Sequence, residues 1–427
     1  MVCWLRARQS AAHRGGGSGG AWIPGRRQRR THRASHPGTL VDRAAIGPGG
    51  KSVGPVRASV REPSRPGALR HVDWVLVACT LTLVAIGTVA VASASSTPEQ
   101  PLGLLRPRLV HTAVGLAVLA GFAALPYRTL GEVWKFAYGS SLVLLVATDV
   151  VGRTALGAQR WLHVGPVSLQ PSEVAKLGLI VALAWSLSRR KEPPTRAVDL
   201  VPCLALAGPM VALVFLQPDL GSAMSFVAVA AGMLWAAGVP ARLMGAVALG
   251  GLLAAPLAWP LLKPYQRTRL LAFLDPGVDP LGAGYNLIQS KIAIGSGGLW
   301  GKGLFAGTQN TLQFLPMQHT DFVFSVIGEE LGFVGTIGVL VLFWVWLLRV
   351  LRVAASTRDA FGSYLCVGVA NLVAFHVLVN VGMTVGLAPA TGIPLPFVSY
   401  GGTALVTQLA AVGMVLSVAL RRPKIRF

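Results

Sequence analysis

The sequence predicts an all-α integral membrane protein of about ten transmembrane helices, with a long extracytoplasmic loop between the seventh and eighth. Three observations predict it. Apolar residues make up 53% of the chain and charged residues only 13%. Runs of about 20 apolar residues, the length a helix needs to cross a bilayer, follow one another from residue 73 onward. Basic residues cluster in alternate connections between those runs.

The apolar runs fall near 74–95, 109–126, 131–151, 172–188, 199–216, 221–238, 241–262, 322–349, 363–388 and 402–420. An even number of spans puts both termini on one side. Arg189, Arg190, Lys191 and Arg196 follow the fourth span, Arg349, Arg352 and Arg358 the eighth, and Arg421, Arg422, Lys424 and Arg426 the last. All lie on the same face, which the positive-inside rule makes cytoplasmic.

The net charge of +22 would suggest nucleic-acid binding in a soluble protein. Its distribution argues otherwise. Residues 1–70 hold fourteen Lys and Arg against Asp42 and Glu62, so +12 of the total sits in a segment rich in Gly, Ser and Pro. That composition predicts a disordered basic cytoplasmic tail over 1–72, read as a solvated segment drawn to anionic lipid or as an over-extended start. It lacks the apolar core and cleavage site of a secretory signal. Residues 422–427 form a second short tail. Cys3, Cys79, Cys203 and Cys366 are far apart and give neither a disulfide nor a metal framework.

The connections on the other face carry the chemistry. Residues 152–171 read GRTALGAQRWLHVGPVSLQP, residues 263–321 form a loop of unusual length, and 389–401 read PATGIPLPFVSYG. So long a connection signals a functional element. Within it, Leu287, Ile288, Ile292 and Ile294 suit a short amphipathic helix lying on or dipping into the bilayer and ended by the Gly295–Gly298 cluster, with Lys291 and Lys302 toward headgroups.

Asp321 stands where this loop enters the eighth span. Either it or Thr320 could cap the helix and complement its dipole. Glu329 and Glu330 lie about two turns deeper, where a carboxylate needs a partner or a polar cavity; the expectation for both is a buried ion pair or hydrogen-bond anchor. In QPSEVAKLG, Pro171 suits the first helical position, and Glu173 and Lys176 share a face as a structural ion pair. Arg160 and Trp161 offer a cation and an aromatic plane at the interface. Asp219, in QPDLGSAM, is by default a helix cap. Walker, HExxH and GxSxG patterns do not occur, which leaves nucleotide hydrolysis and zinc proteolysis without a motif.

GAQRWL (157–162), QPSEVAKL (170–177), QPDLGSA (217–223), DPGVDPLGAGYNLIQSKIAIGSGGLWGKGLFAGTQ (275–309), HTDFVFSVIGEELGF (319–333) and GIPLPFVSYGG (392–402) together resemble the SEDS family of bacterial cell-wall proteins (shape, elongation, division and sporulation), and its RodA-like branch in particular. The resemblance covers residues 73–421. It implies a peptidoglycan glycosyltransferase of the bacterial cytoplasmic membrane that polymerises lipid II on the outer face. The implied partners are a class B penicillin-binding protein transpeptidase and other membrane proteins of the elongation machinery. The family's essential aspartate maps onto Asp321, and one general base suffices because the departing pyrophosphate is already a weak base. Arg160, Trp161, Lys291, Lys302, His319, Thr320 and Ser399 are the candidate substrate contacts, with Arg267 and Arg269 as further cations for pyrophosphate. Met317 departs from the family, which usually carries an acid there. No metal ligands are assigned, and a divalent cation is the one cofactor left open.

Two other classes compete. A lipid II flippase would use the same cavity and lipid without forming a bond, but a transporter is expected to show paired, interrupted spans in two related halves, and no such repeat is evident. A scaffold recruiting the transpeptidase would not need an acid at a loop-to-span junction.

Overall fold

The computed structural model describes residues 72–96, 103–155, 158–164, 167–312 and 314–421. The two tails lie outside the described residues. The ten predicted spans are all helical: α1 (Trp74–Ala94), α2 (Leu105–Ala124), α4 (Trp134–Val151), α5 (Pro171–Ser188), α6 (Val201–Leu216), α7 (Leu220–Ala236), α8 (Ala241–Ala258), α11 (Val323–Ser356), α12 (Ala360–Val385) and α13 (Gly402–Leu420), with the short α3 (Tyr127–Glu132) before α4. Among the described residues, seven helices are long and apolar enough to cross a membrane, and α7 and the start of α8 are shorter apolar helices. The chain is a multi-pass membrane protein.

Burial follows from position in the bundle. Helices α12 and α13 are mostly buried, whereas α2 and α4 expose broad apolar faces such as Leu109, Val110, Phe136 and Val143. In a bilayer those faces meet hydrocarbon. The principal packings pair α13 with α2, α4 with α5, and α12 with α5, α7 and α11. Caps set several helix starts: Asp73 accepts from the Leu76 N–H, Asp219 from Ser222 and Asp359 from Gly362. The Asp73 carboxylate also receives Arg349 from α11 at 2.7 Å, tying the first span to the eighth.

Two outer connections gain structure that the sequence reading did not assign. Residues 153–169 form a three-stranded antiparallel sheet in the order β1 (Arg153–Ala155), β2 (Ala158–Val164), β3 (Val167–Leu169), with Arg153 opposite Trp161 and Leu162 opposite Leu169. The long loop holds two helices of more than ten residues, α9 (Pro264–Leu274) and α10 (Ala283–Ser296). Helix α10 is the predicted amphipathic helix, but its inward stripe is Gly284, Leu287, Ser290 and Ala293, with Ile288 and Ile292 exposed. It packs on α11 and α12, where Ser290 bonds the Ser325 hydroxyl and the Thr384 carbonyl, each at 2.7 Å.

Helix α11 is broken at Gly332, whose φ of 65° and ψ of −162° leave the helical region. The break frees backbone groups that must be satisfied elsewhere in an apolar setting. The loop after α10 supplies the partners. Lys302 and Gly303 donate to the carbonyls of Glu329 and Glu330, and the N–H groups of Phe333 and Val334 donate to Gly298 and Leu299. A Cβ at Gly332 would lie 2.3 Å from the Gly301 nitrogen, so the approach requires glycine.

Candidate active site

Loops at one end of the bundle converge on Asp321. It ends a turn begun by Met317, a non-glycine residue with φ of 52°, whose carbonyl accepts the N–H groups of Thr320 and Asp321, each at 3.1 Å. The loop after α12 crosses at Gly392, where φ is 73° and an added Cβ would stand 3.5 Å from the Asp321 carboxylate and 3.8 Å from the Arg269 guanidinium. Below the crossing, Leu315, Phe322 and Met383 form a small apolar cluster with Ala390 packed against it. Asp321 itself is partly buried.

A cavity of about 130 Å³ opens beside this acid, lined in part by Arg160, Pro218, Tyr265, Arg269 and Thr391. Arg160 reaches it from β2. Its guanidinium bonds the Tyr265 hydroxyl at 2.7 Å and the Pro218 carbonyl, and stands 3.9 Å from the Asp219 carboxylate. Arg269, on α9, lies over the Tyr265 ring. Burial pushes the Asp321 carboxyl above the usual carboxylate range. Arg269, a hydrogen bond from Thr320 and Arg160 oppose the rise, in that order, and Asp219 adds to it. The arrangement is an acid of raised proton affinity within the electrostatic reach of two guanidinium groups that line a small cavity, suited to proton abstraction beside a bound polyanion.

The remaining sequence candidates are placed unevenly. His319 and Thr320 flank the acid. The His319 carbonyl accepts the Tyr400 N–H at 2.8 Å, its ring meets Tyr400 edge-on, and burial lowers its proton affinity. Trp161 is partly buried beside Arg160 on β2. Ser399 is buried, its hydroxyl accepting the Leu395 N–H at 2.8 Å, so it closes the turn of its own loop. Lys291 packs against the left-handed Gly386 at the C-terminus of α12. Lys302 is engaged elsewhere: its ammonium lies 2.7 Å from Glu329, whose carboxylate also accepts from Thr308 and the Gln309 N–H. Glu330 accepts from Ser93. Arg267 donates to the Pro260 carbonyl at 2.8 Å.

Glu173 and Lys176 meet at 2.7 Å, buried among the helices with 4% and 2% of their side-chain surface exposed. Lys176 also approaches the His376 ring at 3.3 Å. Sequence reasoning missed Asn380, Tyr265 and Arg108, none of which lies within the motifs singled out above. Among the described residues, no group of three or more His, Cys, Asp or Glu side chains assembles as a metal site.

These features define a polytopic membrane protein with an acid and two arginines held at its loop face. The chain belongs to the FtsW/RodA/SpoVE family of cell cycle proteins, whose model matches residues 71–424. It is 38% identical over 353 residues to the peptidoglycan glycosyltransferase MrdB of Escherichia coli, covering 82% of this chain and 94% of that protein. A probable peptidoglycan glycosyltransferase FtsW of a Geobacter species is 36% identical over 364 residues, covering 82% and 97%. Among solved structures, it is similar to a chain of a peptidoglycan synthase complex that coordinates polymerization and crosslinking (TM-score 0.71, 37% identity, 82% and 98% covered). It is also similar to the rod shape determining protein RodA of Thermus thermophilus (TM-score 0.63, 34% identity, 83% and 98% covered).

Proposed function

We infer that this chain is a peptidoglycan glycosyltransferase that polymerises lipid II into glycan strands on the outer face of the bacterial cytoplasmic membrane, with Asp321 as the general base. The activity is that named for its curated relatives. The observation that supports the base is the Asp321 carboxylate, partly buried and facing Arg160 and Arg269 beside the cavity. The Asp321 carboxylate takes the proton of the acceptor sugar's 4-hydroxyl as that oxygen attacks the anomeric carbon of the donor. The bond to the polyprenyl pyrophosphate breaks with inversion, and the leaving group carries away the electron pair. Arg269 and Arg160 stabilise charge developing on the pyrophosphate.

The relative found in a complex of polymerization and crosslinking supports a crosslinking partner, which we take to be a class B penicillin-binding protein. Both termini are cytoplasmic in this reading, and the role is in cell elongation. Purified protein with its partner should convert lipid II into glycan polymer, and Asp321→Asn should lower the rate by about 10²–10⁴. Movement of lipid II across vesicles with no polymer formed would instead establish a flippase. Deleting residues 2–68 should leave polymerisation within a few-fold of normal, because that tail lies on the opposite face.

A further inference from the structure

The acid's position depends on a residue that touches neither cavity nor solvent. Asn380 lies on α12 with 0% of its surface exposed. Its side-chain nitrogen donates to two carbonyls from two different loops, Asp321 at 2.9 Å and Ile393 at 2.8 Å. An amide NH2 has two hydrogens, so each carbonyl takes one. The first bond fixes the backbone of Asp321 on its C-terminal side, while the bond from its own N–H to Met317 fixes the other. The second bond fixes the loop at Ile393, next to Gly392, against which the Asp321 carboxylate rests.

The surroundings leave Asn380 as the common anchor of both loops. One turn along α12, Met383 supports the Leu315 and Phe322 cluster beneath the acid. The 391–393 segment is held on its far side by the start of α7, where a Cβ at Gly221 would meet the Thr391 carbonyl at 2.8 Å. Thr391 lines the cavity. One buried amide therefore sets the distance between the acid's loop and a wall of the cavity.

We propose that Asn380 is a positioning residue of the glycosyl transfer, holding Asp321 in register with the cavity by bridging the Asp321 and Ile393 carbonyls. This rests on the reading of Asp321 as the general base. Misplacing a catalytic group by about 1 Å can cost on the order of a hundredfold in rate. Asn380 contacts neither cavity nor substrate, so its loss lowers kcat and leaves KM for lipid II alone.

The test compares Asn380→Asp, Asp321→Asn and the double variant, as full-length protein with its partner, in steady-state polymerisation of lipid II. Asn380→Asp keeps the shape and replaces the two donors. It should lower kcat roughly ten- to hundredfold with KM within about twofold. In the Asp321→Asn background, the same change should cost less than about twofold, because a residue acting through Asp321 has nothing left to position. If Asp321→Asn is inactive while Asn380→Asp keeps near-normal kcat at an unchanged melting temperature, the positioning role falls and the base stands. Full, additive loss in the double variant also overturns it. A near-normal rate for Asp321→Asn removes the base itself. Should Asn380→Asp fail to fold, Asn380→Ser keeps one donor and is judged by the same kcat, KM and double-variant comparison.

Discussion

The ammonium of Lys302 and the carboxylate of Glu329 meet at 2.7 Å beside the break in α11, with Glu329 only 1% exposed. The pair joins the outer loop to the helix that begins just after Asp321. It accounts for a lysine that sequence reading offered to the substrate.

Replacing Lys302 with Met should therefore destabilise the protein rather than weaken substrate binding. Breaking a buried pair typically costs about 3–5 kcal/mol. Here the cost should be about 2–3 kcal/mol, because Lys302 keeps 27% of its surface and Thr308 and the Gln309 N–H still serve Glu329. Thermal melting in detergent, set beside lipid II affinity of the folded fraction, checks it. A large affinity loss with unchanged melting would return Lys302 to the substrate.

Asp321→Asn should lower polymerisation by about 10²–10⁴ while leaving lipid II and partner binding intact. Its effect on stability has a definite sign. A carboxyl whose pKa is raised on folding keeps its proton in the folded state between the unfolded value of about 3.9 and the raised one. Over that window the unfolded chain binds fewer protons, so stability falls as pH rises, and above it the full cost of the charge is present. At neutral pH, Asp321→Asn should therefore melt above the wild type, and the gap should close at acid pH. By the same titration, the wild-type rate should fall as pH drops through the raised pKa. A helix-capping role predicts near-normal polymer yield instead, since Asn caps about as well as Asp.

Lys176→Ala strands Glu173 in the bundle and should cost several kcal/mol, on the order of the ~3–5 seen when a buried pair is broken. Exchanging the two charges, Glu173→Lys with Lys176→Glu, should recover part of that loss, limited by His376 facing the Lys176 position. Melting temperatures of Glu173→Lys, Lys176→Glu and the exchanged pair give the coupling, and strictly additive losses would show the pair uncoupled.

Gly332→Ala should be more damaging than a helix-interior glycine substitution normally is, because it combines a left-handed φ with a 2.3 Å clash against the Gly301 backbone. Loss of folded protein on expression is expected. Gly338→Ala, in the same helix with open space around the added carbon, should be tolerated.

The sequence made the ten helices legible because each is a predominantly apolar run with few charges, and hydropathy reports such runs directly. Asp321 was legible through its motif and its place at a loop-to-span junction. Asn380 was not, because a lone amide in an apolar helix gives no sign of which carbonyls lie above it. The Lys302–Glu329 pair was not legible for a related reason: a cation near a motif does not reveal that a carboxylate 27 residues later is its partner. The sheet at 153–169 escaped because its strands are short and its glycines and prolines read as loop. The inward stripe of α10 was not legible because Gly284, Ser290 and Ala293 are too small to announce a buried face.

Arg108 adds a matter of timing to this architecture. Its buried guanidinium donates to the carbonyls of Phe397, Val398 and Ser399, up to 291 residues away in the chain. At synthesis rates of about 5–20 residues per second, those acceptors emerge roughly 15–60 s after the arginine itself. These bonds between the second span and the last loop therefore close only after nearly the whole chain has been made, which places them among the late steps of assembly.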